Sequence, residues 1–282
     1  MKFTVLMSVY YKEKAEYLKL ALASIINQTV QPNEIVLVQD GKLTNELQAV
    51  ITENLQKYPD IFKTYALKQN QGLGKALNFG MKKCSNELIA RMDTDDIAEP
   101  NRFELQIKEF AQDEELMLCG GQIAEFVNKP TEITGYRNVP LKHNEILNFA
   151  KKRNPFNHMT IMFKKQVVQS VGGYMDMPYF EDYWLWARIL KAGYKAKNIN
   201  QVLVRVRAGQ EMIARRGGLN YAKCIIRFEK VLYSIGVISF TEMIGYITLR
   251  SIVSVVPESL RVWIYRWKLR KLKERGALFC DT

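Results

Sequence analysis

Leu88-Ile89-Ala90-Arg91-Met92-Asp93-Thr94-Asp95-Asp96 carries a short apolar run straight into three carboxylates within four residues. A run of that length, bounded so abruptly, reads as a strand from Leu88 to Met92 whose exit from the core is marked by the acids. Working upstream, Gly74 to Cys84 has helical spacing, Phe62 to Leu67 reads as a strand, and Leu47, Val50, Ile51 and Leu55 share one helical face. Glu34-Ile35-Val36-Leu37-Val38 is a further strand, placed after a helix over Ala15 to Asn27 in which Leu18, Leu22 and Ile25 recur. Thr4-Val5-Leu6-Met7-Ser8-Val9 has so few polar positions that both its faces should be covered. Strands alternating with helices predict a parallel sheet flanked by helices, an α/β fold. In such sheets ligands collect beyond the carboxyl ends of the strands, and those ends deliver Tyr10, Asp40, Asn70 and Asp93.

Downstream the alternation loosens. Pro100 to Asp113 reads as a helix, Leu116 to Val127 as strands interrupted by Gly120-Gly121, and residues 128–157 as mostly irregular. Met159 to Phe163 reads as a strand, Lys165 to Val171 as a short helix, and Glu181 to Ala192 as a helix stopped by Gly193. The expected organisation is a ligand-binding half over 1–96 that carries these strand ends, a second half of the same domain over 97–208, and a basic helical extension over 209–282.

The chain has 282 residues, 48% of them hydrophobic, which suits a folded globular protein, and a formal net charge of +12 that calls for an anionic partner. From Arg205 to Thr282 there are fifteen Lys or Arg against six Asp or Glu, so nine of the twelve net charges sit in this last stretch. The four cysteines are widely spaced and only two histidines are present, which argues against a zinc site or a disulfide framework. The N-terminus shows no secretory signal and no run is long enough to span a bilayer, so a cytoplasmic protein without transmembrane helices is expected.

Three carboxylates at 93, 95 and 96 repel one another in a poorly solvated crevice unless something positive joins them. A divalent cation with oxygen ligands, Mn2+ or Mg2+, fits that need and keeps positions open for a diphosphate. The competing reading is a solvated loop capping the next helix. What separates them is position, since Asp40 also ends an apolar strand and both acids should face one crevice.

These segments resemble the inverting glycosyltransferases of family two, with the nucleotide-binding fold called GT-A. The matching pieces are Ser8-Val9-Tyr10, Ser24 to Thr29, Glu34 to Gly41, Asn70-Gln71-Gly72-Leu73-Gly74, Arg91 to Asp96 and Glu181 to Arg188, in the family's order over about the first 210 residues. The subgroup that builds bacterial exopolysaccharide and O-antigen repeats, the amylovoran type, is the nearest likeness. The resemblance implies that Tyr10 and Asp40 contact the base or ribose of a nucleotide-sugar donor, with Glu13 near them. It further implies that Asp93 approaches the ribose or the metal and that Asp95 binds the metal, with Asp96 as its substitute. One departure is Gln39-Asp40, where many members carry two acids, so base recognition rests on Asp40 alone.

Inverting transfer needs one group to take the acceptor's proton. Glu181-Asp182 opens a helix followed by Tyr183, Trp184 and Trp186, and acids in a first helical turn are common for structural reasons alone. The resemblance assigns the general base to this pair, with Asp182 preferred and Glu181 as fallback. His158 competes for the role, and Tyr174, after Gly172-Gly173, could stack on a sugar.

Arg205, Arg207, Arg215 and Arg216, with Gly209 and Gly217-Gly218, suit a phosphate-binding or simply basic loop. Tyr221 to Ile235 describes an amphipathic helix. Leu260 to Lys273 mixes Trp263 and Trp267 with six Lys or Arg, a composition suited to an anionic membrane surface. The acceptors of the resembling subgroup are saccharides on a polyprenyl diphosphate, which places the protein peripherally on the inner face of a bacterial membrane, with UDP as the expected nucleotide. Two rival classes remain: a sugar nucleotidyltransferase, although Ser8 to Lys12 lacks the glycine-rich phosphate loop, and a basic nucleic-acid-binding protein, which leaves the acidic crevice unexplained. No nucleic-acid partner is expected.

Overall fold

The computed structural model describes residues 1–208 and 217–256. The Gly209, Arg215 and Arg216 positions and the Leu260 to Lys273 segment lie outside the described residues.

The first half alternates as the pattern requires: β1 (Phe3–Val9), α1 (Ala15–Ile26), β2 (Glu34–Gln39), α2 (Asn45–Lys57), β3 (Phe62–Ala66), α3 (Leu73–Lys83) and β4 (Leu88–Arg91). β2 and β4 flank β1 in parallel, with Met7 opposite Leu37 and Leu6 opposite Arg91, and β3 runs parallel to β2. The exits of β1, β2 and β4 therefore lie side by side, which brings Tyr10, Asp40 and Asp93 to one edge.

After the short β5 (Ile97–Ala98) come α4 (Arg102–Gln112), β6 (Leu116–Phe126), β7 (Ile133–Arg137), α5 (His143–Ala150), β8 (Met162–Lys164), α6 (Lys165–Ser170), α7 (Glu181–Lys191) and β9 (Lys195–Arg207). The strand order is β3-β2-β1-β4-β8-β6-β9-β5, with β7 on β6. β8 is antiparallel to β4 and β6, whereas β9 runs parallel to β6, so one curled sheet continues through both halves. Residues 158–160 form a 3-10 turn before β8.

Several elements depart from the sequence reading, each for a physical reason. β6 runs unbroken through Gly120-Gly121, because a Cβ at Gly120 would collide with Asn198 Oδ1 and one at Gly121 with the Leu203 side chain. These glycines permit close approach of β9; they do not end a strand. The stretch read as irregular holds β7 and α5. Arg205 and Arg207, read as part of a basic loop, belong to β9: Arg205 pairs with Glu99 at 2.6 Å, and the Arg207 guanidinium lies 3.6 Å from the centre of the Tyr17 ring.

One buried cluster joins α1, α2 and α4 to one face of the sheet, and a second joins α3, α6 and α7 to the other. A third forms where α7 meets α8 (Leu219–Ser234) and α9 (Phe240–Val255). Trp184 and Trp186 are buried in α7, which makes them core and not sugar platforms. The hairpin of α8 and α9 is fastened by Arg250, which pairs with buried Glu229 and also donates to the Lys152 carbonyl.

Candidate active site

The acidic run leaves β4 on top of two buried guanidiniums. Arg91, at 1% exposure, donates through both terminal nitrogens to Asp93, whose side chain stays 28% exposed. Beneath it Arg102 donates to the Arg91 carbonyl at 2.7 Å and to Gln106 Oε1 at 3.1 Å; burial, and then Arg91, push its pKa down to about 9. Neither arginine was singled out from sequence, although a charge inside an otherwise apolar strand is itself a signal.

Asp95 is driven up to about 7, first by burial and then by Asp93 and Glu13. Asp96 is pushed well above the usual carboxylate range by burial, Asp95 and Asp93, and its Oδ1 accepts the Arg207 backbone N–H at 2.9 Å. That bond turns Asp96 inward as an anchor for the end of β9. Ligand oxygens of Asp93, Asp95 and Asp96 all lie within 4.8 Å of one another. Hard oxygen donors this close, two of them kept from ionising by burial and by their acidic neighbours, fit a divalent cation.

Glu13 ties the loop after β1 to this cluster. It accepts the Thr94 hydroxyl at 2.9 Å and the Lys14 N–H at 2.8 Å. Tyr10, at 38% exposure, stands at the open mouth beside it. Asp40 is buried and already engaged, accepting the Gln71 N–H at 2.7 Å and the Gly72 N–H at 2.9 Å. It holds the loop before α3, and Gly41, at φ +88°, allows that loop to lie close: a Cβ there would stand 2.7 Å from the Asn70 nitrogen.

The second acidic pair opens α7. Asp182 accepts the Asn154 amide at 2.7 Å and the Tyr183 N–H at 2.7 Å. Asn154 is held in turn, its carbonyl accepting from Arg137 at 2.8 Å. Glu181 lines a cleft of about 140 Å3 with Gln71, Gly74, Lys75, Tyr174 and Met177, and burial raises its pKa. The start of α3 and the start of α7 thus share one cavity.

Tyr174 connects the two acidic sites. Its phenol is pushed up by burial, pulled down by Arg91 and raised further by Asp182, Asp93 and Glu181, so it stands within electrostatic reach of both. At 5% exposure it offers no open face for a sugar, and its hydroxyl lies 2.8 Å from His158 Nε2. His158 is buried, burial and then Arg91 hold its pKa well below the usual histidine value, and its Nε2 is engaged by the Tyr174 hydroxyl. Asn78 of α3 clamps the Tyr174 backbone from both sides, accepting its N–H at 2.8 Å and donating to its carbonyl at 2.7 Å. That clamp explains Gly173, at φ +68°, where a Cβ would sit 2.5 Å from Asn78 Oδ1.

The comparisons with known proteins bear on the family and the fold. The model of glycosyl transferase family 2 matches residues 4–172. The amylovoran biosynthesis glycosyltransferase of Erwinia amylovora is 39% identical over 93% of this chain and 97% of its own length. An Escherichia coli relative, UDP-Gal:alpha-D-GlcNAc-diphosphoundecaprenol beta-1,3-galactosyltransferase, is 38% identical over 96% of this chain and 97% of its own. Among solved structures, a mannosyltransferase from Pyrobaculum calidifontis in complex with GDP-Man and Mn2+ superposes with a TM-score of 0.66 at 16% identity, covering 95% of this chain and 75% of that one. That likeness concerns the fold, which is GT-A. With the family model covering more than half its length and relatives of this identity along nearly all of it, the chain belongs to glycosyltransferase family 2.

Proposed function

We propose that this protein transfers a hexose, with inversion, from a UDP-sugar to a saccharide carried on a polyprenyl diphosphate, in the synthesis of a bacterial exopolysaccharide or O-antigen at the inner face of the cell membrane. The observation that carries the reading is the carboxylate run Asp93, Asp95 and Asp96 clustered at the exit of β4, with Tyr174, which shares a cleft with Glu181, feeling the charge of both Asp93 and the acids that open α7. Relatives named for amylovoran synthesis and for galactosyl transfer to a diphosphoundecaprenol-linked sugar support the substrate class. The family assignment leaves nucleotidyl transfer and nucleic-acid binding without support.

In this reading residues 1–96 hold the donor, residues 97–208 hold the acceptor, and the basic stretch 209–282 serves association with the membrane. Tyr10 packs on the nucleotide, and Asp40 shapes its seat through the loop at Gln71 and Gly72. Asp95, with Asp93, would hold Mn2+ or Mg2+, and a bound divalent ion supplies charge neutralisation for the departing diphosphate. Glu13 and Arg91 keep the carboxylates in place. Asp182 accepts the proton of the acceptor hydroxyl as that oxygen bonds to the anomeric carbon, and the electrons of the breaking carbon–oxygen bond pass to the diphosphate. Asn154 and the Tyr183 amide leave the Asp182 carboxylate oriented for this step. The test offers UDP-galactose, UDP-glucose, UDP-N-acetylglucosamine and GDP-mannose with Mn2+ and a diphosphate-linked N-acetylhexosamine acceptor. Release of UDP with formation of a disaccharide is expected, and failure with every donor refutes the reading.

A further inference from the structure

A surface helix of a water-soluble domain turns its apolar side inward and its charges outward. α9 departs from this: Met243, Tyr246 and Ile247 pack on the third cluster, yet its outer side is apolar too. Its arginine, Arg250, points inward to the buried Glu229, and its one acid, Glu242, is occupied in the cap with Ser239. Outward it presents Phe240, Ile244, Leu249, Ile252 and Val255, each between 47% and 60% exposed. At 3.6 residues per turn these five fall within about half the circumference, opposite Met243 and Ser254. The remaining exposed positions of α9 are Thr241, Gly245 and Thr248, so among the described residues no charge lies on this face.

The rim of the face suggests what covers it. Where α8 turns into α9, Tyr233 and Phe240 meet edge to face at 5.9 Å with both rings exposed, the kind of pair that sits at the boundary of water and hydrocarbon. Lys223 and Lys230 lie exposed on the neighbouring α8, and the sequence after Val256 carries seven Lys or Arg against three acids. An uncharged face beside exposed lysines complements an anionic lipid surface, whereas a two-fold pairing with a second copy would bring the same lysines toward one another.

We propose that the outer face of α9 is a docking surface that seats this protein on an anionic bilayer, with Phe240, Ile244, Leu249, Ile252 and Val255 entering the headgroup boundary. The inference deepens the reading of a lipid-linked acceptor and rests on it for its purpose, since docking holds the catalytic cleft at the plane where a polyprenyl-linked sugar is presented.

The experiment sediments the full chain with vesicles of phosphatidylethanolamine and phosphatidylglycerol, and with phosphatidylcholine vesicles as control. The chain partitions onto the anionic vesicles, and Leu249→Glu/Ile252→Glu lowers that partition at least about tenfold, from the loss of two aliphatic insertions. Leu249→Ser/Ile252→Ser, which adds no charge, produces a smaller loss in the same direction, and both variants keep the wild-type melting temperature. Unchanged partition in both double variants overturns the proposal, as does a loss seen only on neutralising the Lys and Arg of 261–273. Lipid-free self-association abolished by Leu249→Glu/Ile252→Glu would also overturn it, assigning the face to a second copy. Transfer to a water-soluble acceptor without vesicles separates the two ideas. Its absence with every sugar nucleotide refutes the functional reading, while the partition results still decide the docking surface.

Discussion

Replacing Arg91 by Met removes the guanidinium that holds Asp93 and leaves Arg102, bonded elsewhere, as the buried countercharge beneath the three carboxylates. Arg91 is buried and its partner keeps 28% of its side-chain surface, so the loss belongs near the lower end of the about 3–5 kcal/mol typical for breaking a buried pair from one side. For a domain of this size about 3 kcal/mol lowers the melting temperature by roughly 6–10 °C. A divalent cation should offset part of that loss, because the freed Asp93 binds it more tightly, and at one saturating concentration each tenfold in affinity adds about 1.4 kcal/mol. Differential scanning calorimetry in EDTA and in saturating Mn2+ reads both effects. The variant should melt lower in EDTA and gain more from Mn2+ than the wild type does. Equal melting temperatures in EDTA, or an identical gain from Mn2+, would refute the idea that Arg91 and the cation share the neutralisation of this cluster.

Three further outcomes follow from the geometry. Asp182→Asn keeps donor binding by calorimetry but loses roughly a hundredfold or more in turnover, as expected when a general base is removed; near wild-type turnover eliminates Asp182 from the role. Because Asp95 is raised from 3.8 to about 7, the metal-free fold gains from its proton at low pH and loses that gain as pH rises through 7. A cation must displace that proton, so Mn2+ affinity weakens as pH falls below about 7, by up to tenfold per unit; affinity flat between pH 5.5 and 8 contradicts the assignment. Gly173→Ala forces a Cβ against Asn78 at a positive φ, costing about 1–2 kcal/mol from the backbone alone, and the displaced Tyr174 loop should lower turnover along with the melting temperature.

Much of this was legible in the chain because parallel strands buried on both faces carry unbroken apolar runs, as in Thr4 to Val9 and Glu34 to Val38, and end in the polar residues that form the site. The second half was less legible. β9 alternates Val204 and Val206 with Arg205 and Arg207, a strand pattern, yet arginine-rich composition drew attention to charge instead of period. Gly120-Gly121 looks like punctuation from sequence, and only the packing of Asn198 and Leu203 shows it to be clearance for a neighbour. In the site, the acids at 93, 95, 96, 181 and 182 stood out as clusters. Asn78, Asn154 and Arg102 did not, because their contribution depends on partners distant in sequence: Tyr174, Asp182 and the Arg91 carbonyl. Asp40 was visible as a strand-ending acid, but its bonds to the Gln71 and Gly72 amides belong to the loop that folds over it.

The most direct measurement is titration calorimetry of UDP-galactose into the purified chain, with Mn2+ and with EDTA, for the wild type and Asp95→Asn. Saturable binding that requires Mn2+ in the wild type and is weakened at least about tenfold in the variant is the predicted result, consistent with loss of a charged ligand in a poorly solvated site. Donor binding of equal strength with Mn2+ and with EDTA, or an Asp95→Asn variant that binds as the wild type does, would contradict a cation held at the exit of β4.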